Sequence, residues 1–300
     1  MSKEPYDKPA LTYANQLQQL KTRNLTIEDE EKALHLLEVI SYFRLSGYWY
    51  PMLIDKKNHK FKDGSFFEDA FNLYKFDREL RLLILRELEK IEVAIRAKMI
   101  YVLSHKRGTY WYADPINFKN RAKHKKTLSK IETEFKRSDE QFIMAFRNNY
   151  SNHLPPSWMI MEISSFGILS SLFSNFVSGK DKKEISYYFG VNDTTLVSWL
   201  HSIVYIRNVC AHHTRLWNRI MRIQPIIPKN TKNQWIVNNK VQNNRTYFVL
   251  SLIIYLMNTI NPKHKIASKF KALLAKYPNV DTSAMGFSLN WKNEPLWKET

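Results

Sequence analysis

The segment IRNVCAHHTRLWNR, from Ile206 to Arg219, sets three arginines, two adjacent histidines and two asparagines around the only cysteine of the chain, Cys210. Histidine titrates near neutral pH, so an imidazole can take a proton from a ribose 2′-hydroxyl or return one to a leaving 5′-oxygen. Arginine stays charged, and its fork matches a phosphate on which charge builds up in the transition state. An asparagine beside them can orient the phosphate or the ring. These residue types suit cleavage of RNA without a metal, the neighbouring 2′-hydroxyl being the nucleophile, and DNA would be spared. Arginine and histidine five residues apart also occur in many helices that do no chemistry, so residue types alone leave a solvated helix face and a catalytic one both open.

Read as one continuous helix with about 100° between residues, His212, Arg215 and Arg219 fall within about 40° of Asn208. Arg207, Thr214 and Asn218 share the neighbouring sector, while Val209, His213, Leu216 and Ile220 point to a packing side. The spacing therefore predicts that His212 is free to meet a substrate and that His213 is packed, its ring nitrogens satisfied by neighbours. Arg207 lies about 140° around the axis from His212, so the two flank a groove rather than grip one atom. A second copy of the helix across a two-fold axis would bring another pair opposite. A metal held by Cys210 and the histidines is not expected, because these residues split across helix faces and lack a fourth ligand. No other cofactor is expected either.

The elements that must carry this segment read as helices. Only 7 glycines in 300 residues argue against a sheet-rich or phosphate-loop fold. Thr26 with Asp29 predicts a capping box for a helix closed near Gly47, and Ser65 with Glu68 predicts another at the start of a long apolar-faced stretch. In that stretch Leu73, Phe76, Leu80, Leu83, Leu88, Ile91 and Ile95 recur at helical spacing, as one helix or as two joined at a kink. Between them, YWYPMLIDKKNHKFKDG is an irregular loop or a short hairpin. Pro155-Pro156 predicts a helix start with Gly179 near its end, and Asn192/Asp193 cap a helix that Pro225 and Pro228 terminate. The run Tyr247–Met257 is too short to span a bilayer and predicts a buried helix. The tail after residue 277 reads as a loop pinned by tryptophans. The expected architecture is all-α, a single domain over 1–300, with an N-terminal helical extension (1–60), a helical core (61–277) and an irregular C-terminal tail (278–300).

A net charge of +18 favours a polyanionic partner such as RNA, DNA or an acidic membrane, nucleic acid before the others, although excess lysine also simply keeps proteins soluble. Lys119, Arg121, Lys123, Lys125 and Lys126 lie in a run of basic residues without an acid, a solvated helix face or a phosphate-contacting one. One cysteine and an N-terminal stretch without the apolar core of a signal peptide predict a cytoplasmic protein with no membrane segment. Glu162, amid apolar neighbours, predicts a buried carboxylate that pairs with an arginine, either for structure or to orient Arg207. Arg44, Arg78 and Glu79 read as inter-helix pairing residues, and most of Trp49, Trp158, Trp199 and Trp217 as core.

The segment IRNVCAHHTRLWNR also resembles the signature of abortive-infection (Abi) proteins of the AbiD/AbiF type, whose Arg-Asn-x-x-x-His belongs to the wider HEPN ribonuclease pattern. The stretches ISYFRLSGYWYP, LYKFDRELRLLILRELEKIEVAIR, PPSWMIMEISSFGILSSLF, ISYYFGVNDTTLVSWLHSIVYIRNVCAHH and MGFSLNWKNEPLW agree in order and spacing, so that the resemblance covers nearly the whole chain. It implies a HEPN-like helical bundle, a bacterial phage-defence or toxin role, and metal-independent RNA cleavage by a homodimer. Carried over by motif, Arg207 and His212 are the catalytic pair and Asn208 their polar companion, with His213, Glu162 and Arg215 as supporting candidates. A structured regulatory RNA is a conceivable further partner. The alternatives from other classes are a catalytically silent RNA-binding or effector-binding module, and a DNA-binding regulator, for which no helix-turn-helix stands out.

Overall fold

The computed structural model describes residues 5, 7–238 and 240–298. Among the described residues are twelve α-helices and a two-stranded antiparallel ribbon, an all-α architecture as the spacing predicts. The backbone divides into two compact units, Met1–Leu80 with Ala272–Val280, and Arg81–Lys271 with Asp281–Thr300.

In the first unit, α1 (Tyr13–Thr22) is capped by Thr12, whose hydroxyl accepts from the Asn15 amide at 3.2 Å. The next helix, α2 (Glu30–Ile40), is capped by Asp29 itself, its carboxylate accepting from the Lys32 amide at 2.9 Å. Thr26, expected in that role, is committed elsewhere: its backbone exchanges bonds with Ser65 and Phe67 at 2.9 Å each. Gly47 does not close the helical region. Ser41, held at φ 82°, ends α2, and its hydroxyl caps α3 (Tyr42–Trp49), which runs through Gly47. The charged stretch that follows is a hairpin, β1 (Leu53–Asp55) against β2 (Lys60–Phe61), with Leu53 opposite Phe61.

A single 41-residue helix, α4 (Phe67–Arg107), contributes to both units. Phe76, Leu80, Leu88, Ile91 and Ile95 along it are buried, the apolar face read from the spacing. In the second unit follow α5 (Arg121–Arg137), α6 (Gln141–Asn149) and α7 (Ser157–Ile163). The helix expected to run from Pro156 towards Gly179 is two helices. It breaks at Ser164–Ser165, where the Ser165 hydroxyl accepts from the Ile168 amide at 3.4 Å and starts α8 (Phe166–Asn175). A serine at that position offers the backbone an alternative to the helical bond and then caps the new helix.

Next come α9 (Lys180–Tyr188) and α10 (Asp193–Ala211), the latter capped by Asn192, whose side chain accepts from Thr195 N at 2.8 Å. α8 packs against both α5 and α10. α11 (Thr246–Ile260) is apolar all round and buried from Thr246 to Met257, as a helix at the centre of a core must be. α12 (Ile266–Lys276) is the last of the helices. The tail is pinned by aromatics: Trp291 and Trp297 are buried, and Trp297 Nε1 donates to Ser251 Oγ at 3.0 Å. Among the described residues no helix is long and apolar enough to cross a membrane.

Candidate functional site

The polar face of the chain's signature lies on the last turns of α10. Trp199, Leu200, Ile203, Ile206 and Cys210 form its buried side, while Arg207 and Asn208 are exposed. The helix does not continue to Arg219. His212 is its C-cap, its amide donating to the Asn208 carbonyl at 2.9 Å. His213 then turns left-handed at φ 56°, its amide bonds Cys210 O at 3.1 Å, and the Thr214 amide reaches back to Val209 O at 3.0 Å. This is a complete Schellman termination, built on a histidine where glycine is the usual choice. The Thr214 hydroxyl adds a bond to the same Val209 carbonyl at 2.8 Å.

The termination corrects the helical wheel beyond Ala211. Arg215 and Arg219 do not extend the Asn208 stripe, and Leu216 and Trp217, beyond the turn, are buried. Arg219 turns to Tyr205 instead, its Nε donating to the phenol oxygen at 3.0 Å and its guanidinium lying 5.8 Å from the ring centre. Arg215 is half-buried beyond the helix end. His213, expected to be packed, is exposed, because the left-handed turn swings it off the apolar face. His212 is exposed as well, so both it and Arg207 open to solvent at the same helix end.

Behind this end stands a group of charges from two other helices. Arg96, one turn along α4 from Glu92, holds its carboxylate at 2.9 Å, donates to Ser164 O at 3.2 Å, and lies 3.6 Å from Glu162. Burial raises the Glu92 carboxyl above the ordinary carboxylate range, against the opposing charges of Arg96 and Arg207. Arg207 is thus close enough for its charge to act on Glu92. Glu162, expected to be buried, has a side chain 54% exposed and finds its arginine in Arg96. In the sequence Glu92 stands out only as a structural pairing partner, beside Asp77 and Glu87, and Arg96 does not stand out at all. Their i, i+4 spacing in EVAIR announces an ion pair on α4, but nothing local places that pair near Arg207.

The other residues with expected roles lie apart from this group. Lys119, Arg121, Lys123, Lys125 and Lys126 are all exposed, at and after the N-terminus of α5. Lys123 Nζ donates to Ser174 Oγ on α8 at 2.7 Å. Glu79 is bound by Lys276 Nζ and the Tyr277 hydroxyl, each at 2.7 Å, within the first unit. Of the four tryptophans considered, Trp49, Trp199 and Trp217 are core and Trp158 is half-exposed.

Comparison with known proteins gives one match. The family model described as Abi-like protein matches residues 35–218, from α2 through the His212 turn. No curated protein and no solved structure matches the chain.

Proposed function

Because the chain belongs to the Abi-like protein family, we propose that it serves bacterial phage defence, as an abortive-infection or toxin protein, by cutting RNA without a metal. One observation carries the chemical part: Arg207 and His212 open to solvent at one helix end, in a strongly basic chain. In the proposed reaction His212 takes the proton of a ribose 2′-hydroxyl as its oxygen attacks the adjacent phosphorus. The P–O5′ bond breaks, the imidazolium returns its proton to the leaving 5′-oxygen, and a 2′,3′-cyclic phosphate remains. Arg207 stabilises charge on the phosphoryl oxygens, and Asn208 orients phosphate or imidazole.

Arg207 and His212 sit on different sides of the α10 axis, so a single helix end wraps only part of a phosphate. The same reading therefore assigns the working form to a homodimer whose second Arg207/His212 pair closes the site. The Glu92 carboxylate supports this reading as an opposite charge within the field of Arg207.

The test is cleavage of mixed cellular RNA by the purified chain in EDTA, with the ends mapped, beside His212→Ala. The reading requires cyclic or 3′-phosphate ends from the wild type, none from the variant, and intact DNA. Equal cutting by both proteins would remove it, and salt-sensitive RNA binding without scission would leave the silent binding module in its place.

A further inference from the structure

Two cavities of about 420 and about 400 Å³ adjoin along α8 and share Gly167 and Ser171 in their walls. The first is walled by α8 and α10, with Lys123, Ser174 and His201 at its sides. The second continues between α8 and α5, past Thr127, Lys130 and Ser165. We infer that these cavities form one groove that binds the sugar-phosphate backbone of a single RNA strand and leads it to the Arg207/His212 end of α10.

Four features carry the inference, which rests on the RNA-cleaving reading above. The first is a hydroxyl-bearing wall. Ser170, Ser171, Ser174 and Ser198 line the first cavity. Their hydroxyls are of the kind that bond ribose hydroxyls and phosphate oxygens.

The second feature is charge. Lys123 and Lys130 stand in the walls, and Lys119, Arg121, Lys125 and Lys126 are exposed on the same basic segment. Lys123 spends one donor on Ser174, and an ammonium has three. The one acid in the walls, Glu134, is held by Arg137.

The third is direction. A side chain built on Gly167 would meet Val204 at 4.0 Å, so the glycine end of the groove faces that turn of α10. Val197, His201 and Val204 line the groove, and offsets of four and seven residues share a face with Asn208 at eleven. The groove therefore opens one helical turn short of Asn208. Its α10 wall, from Val197 to Val204, spans about 10 Å at 1.5 Å per residue.

The fourth is the missing side chain at Gly167. The nearest atoms to an added Cβ are Ser165 Oγ at 3.8 Å and Val204 Cγ1 at 4.0 Å, ordinary contact distances. A methyl group fits there, and anything longer must enter the groove.

That space supplies the test. Equilibrium binding of a 12-nucleotide single-stranded RNA carrying 2′-O-methyl riboses, which resist 2′-hydroxyl attack, is measured for the full chain and two variants. Gly167→Ala is expected to bind within twofold of wild type. Gly167→Glu, folded by circular dichroism, is expected to bind at least tenfold more weakly. Wild-type affinity in Gly167→Glu, or no binding of the 12-mer by the wild type, overturns the groove. If the 12-mer needs an open Gly167 but no variant or wild type cuts any RNA, the groove stands and the nuclease reading falls.

Discussion

Arg96 holds the carboxylate of Glu92 at 2.9 Å one turn away on α4, and the same carboxylate lies within the field of Arg207 on α10. The Arg96 side chain is only 13% exposed and the Glu92 side chain only 18%, so neither is a freely solvated surface charge. A guanidinium that also bonds Ser164 O ties α4 to the break between α7 and α8. The relationship matters because long arginine side chains are otherwise free to wander, and a phosphate-binding arginine must not.

This pair is expected to position rather than to react. Arg96→Ala leaves Glu92 largely buried without its nearest partner and should cost about 2–3 kcal/mol of stability, read by urea denaturation. Glu92→Gln keeps the shape and a hydrogen-bond acceptor. It should fold, with RNA cleavage reduced through KM more than through kcat, because Arg207 loses a nearby opposite charge. A Glu92→Gln enzyme with wild-type kcat and KM would show that this charge is unnecessary.

Arg207→Lys separates charge from fork. Lysine retains the cation but not the planar bidentate donors. Cleavage should fall about tenfold or more, approaching the loss in Arg207→Ala, whereas His212→Ala should fall by about 10²-fold or more, the range for a lost general acid–base group. Thermal melting of all three variants checks that the fold survives.

The left-handed turn at His213 makes a prediction about stability independent of catalysis. His213→Val places a β-branched residue at φ 56°, which should cost about 1–2 kcal/mol for that conformation. His213→Gly removes the strain and should be markedly more stable than the valine variant. Cleavage by His213→Gly is expected to persist if His212 alone moves the protons, and its loss would transfer a catalytic part to His213.

Lys182 on α9 is buried, with Nζ bonded to the carbonyls of Ser174 and Phe176 at 3.2 and 3.1 Å. Burial, and then the positive charges of Lys119 and Lys123, push its ammonium down to about 8 from the ordinary 10.5. The folded state therefore releases this proton before the unfolded state does. Between about pH 8 and 10.5 the unfolded chain binds more protons, so stability rises with pH across that window. Measured against Lys182→Met in urea titrations, the wild type should gain on the variant from pH 8 to 10. A constant difference would mean that the lysine keeps its ordinary proton affinity.

How much of this was legible before the fold is best seen helix by helix. The apolar spacing of Phe76, Leu80, Leu88, Ile91 and Ile95 fixes a buried face on α4, because helical periodicity is a local property. The Asn192 cap, the all-apolar α11 and the hairpin at Leu53–Phe61 follow from equally local rules. Breaks made by serine are harder. Ser41 ends one helix and begins another, and Ser164 and Ser165 do so as a pair, where Gly47 and Gly179 carried the expectation. A serine hydroxyl can serve either state, and only packing selects between them.

At the site, the chain itself determined the toolkit: Arg207, Asn208 and His212 on the last turns of a helix, with the i, i+4 pair Glu92 and Arg96 waiting on another. Where that helix stops was decided by tertiary structure. The chain reverses at His213, where glycine is the usual choice, and Leu216 and Trp217 beyond the turn are buried. That reversal removes Arg215 and Arg219 from the Asn208 stripe and leaves His213 exposed. The reach of the Arg207 charge to Glu92, more than a hundred positions away, likewise belongs to packing alone. Local propensity operates over a turn or two, and a charge network spanning helices exists only once their burial has brought them together.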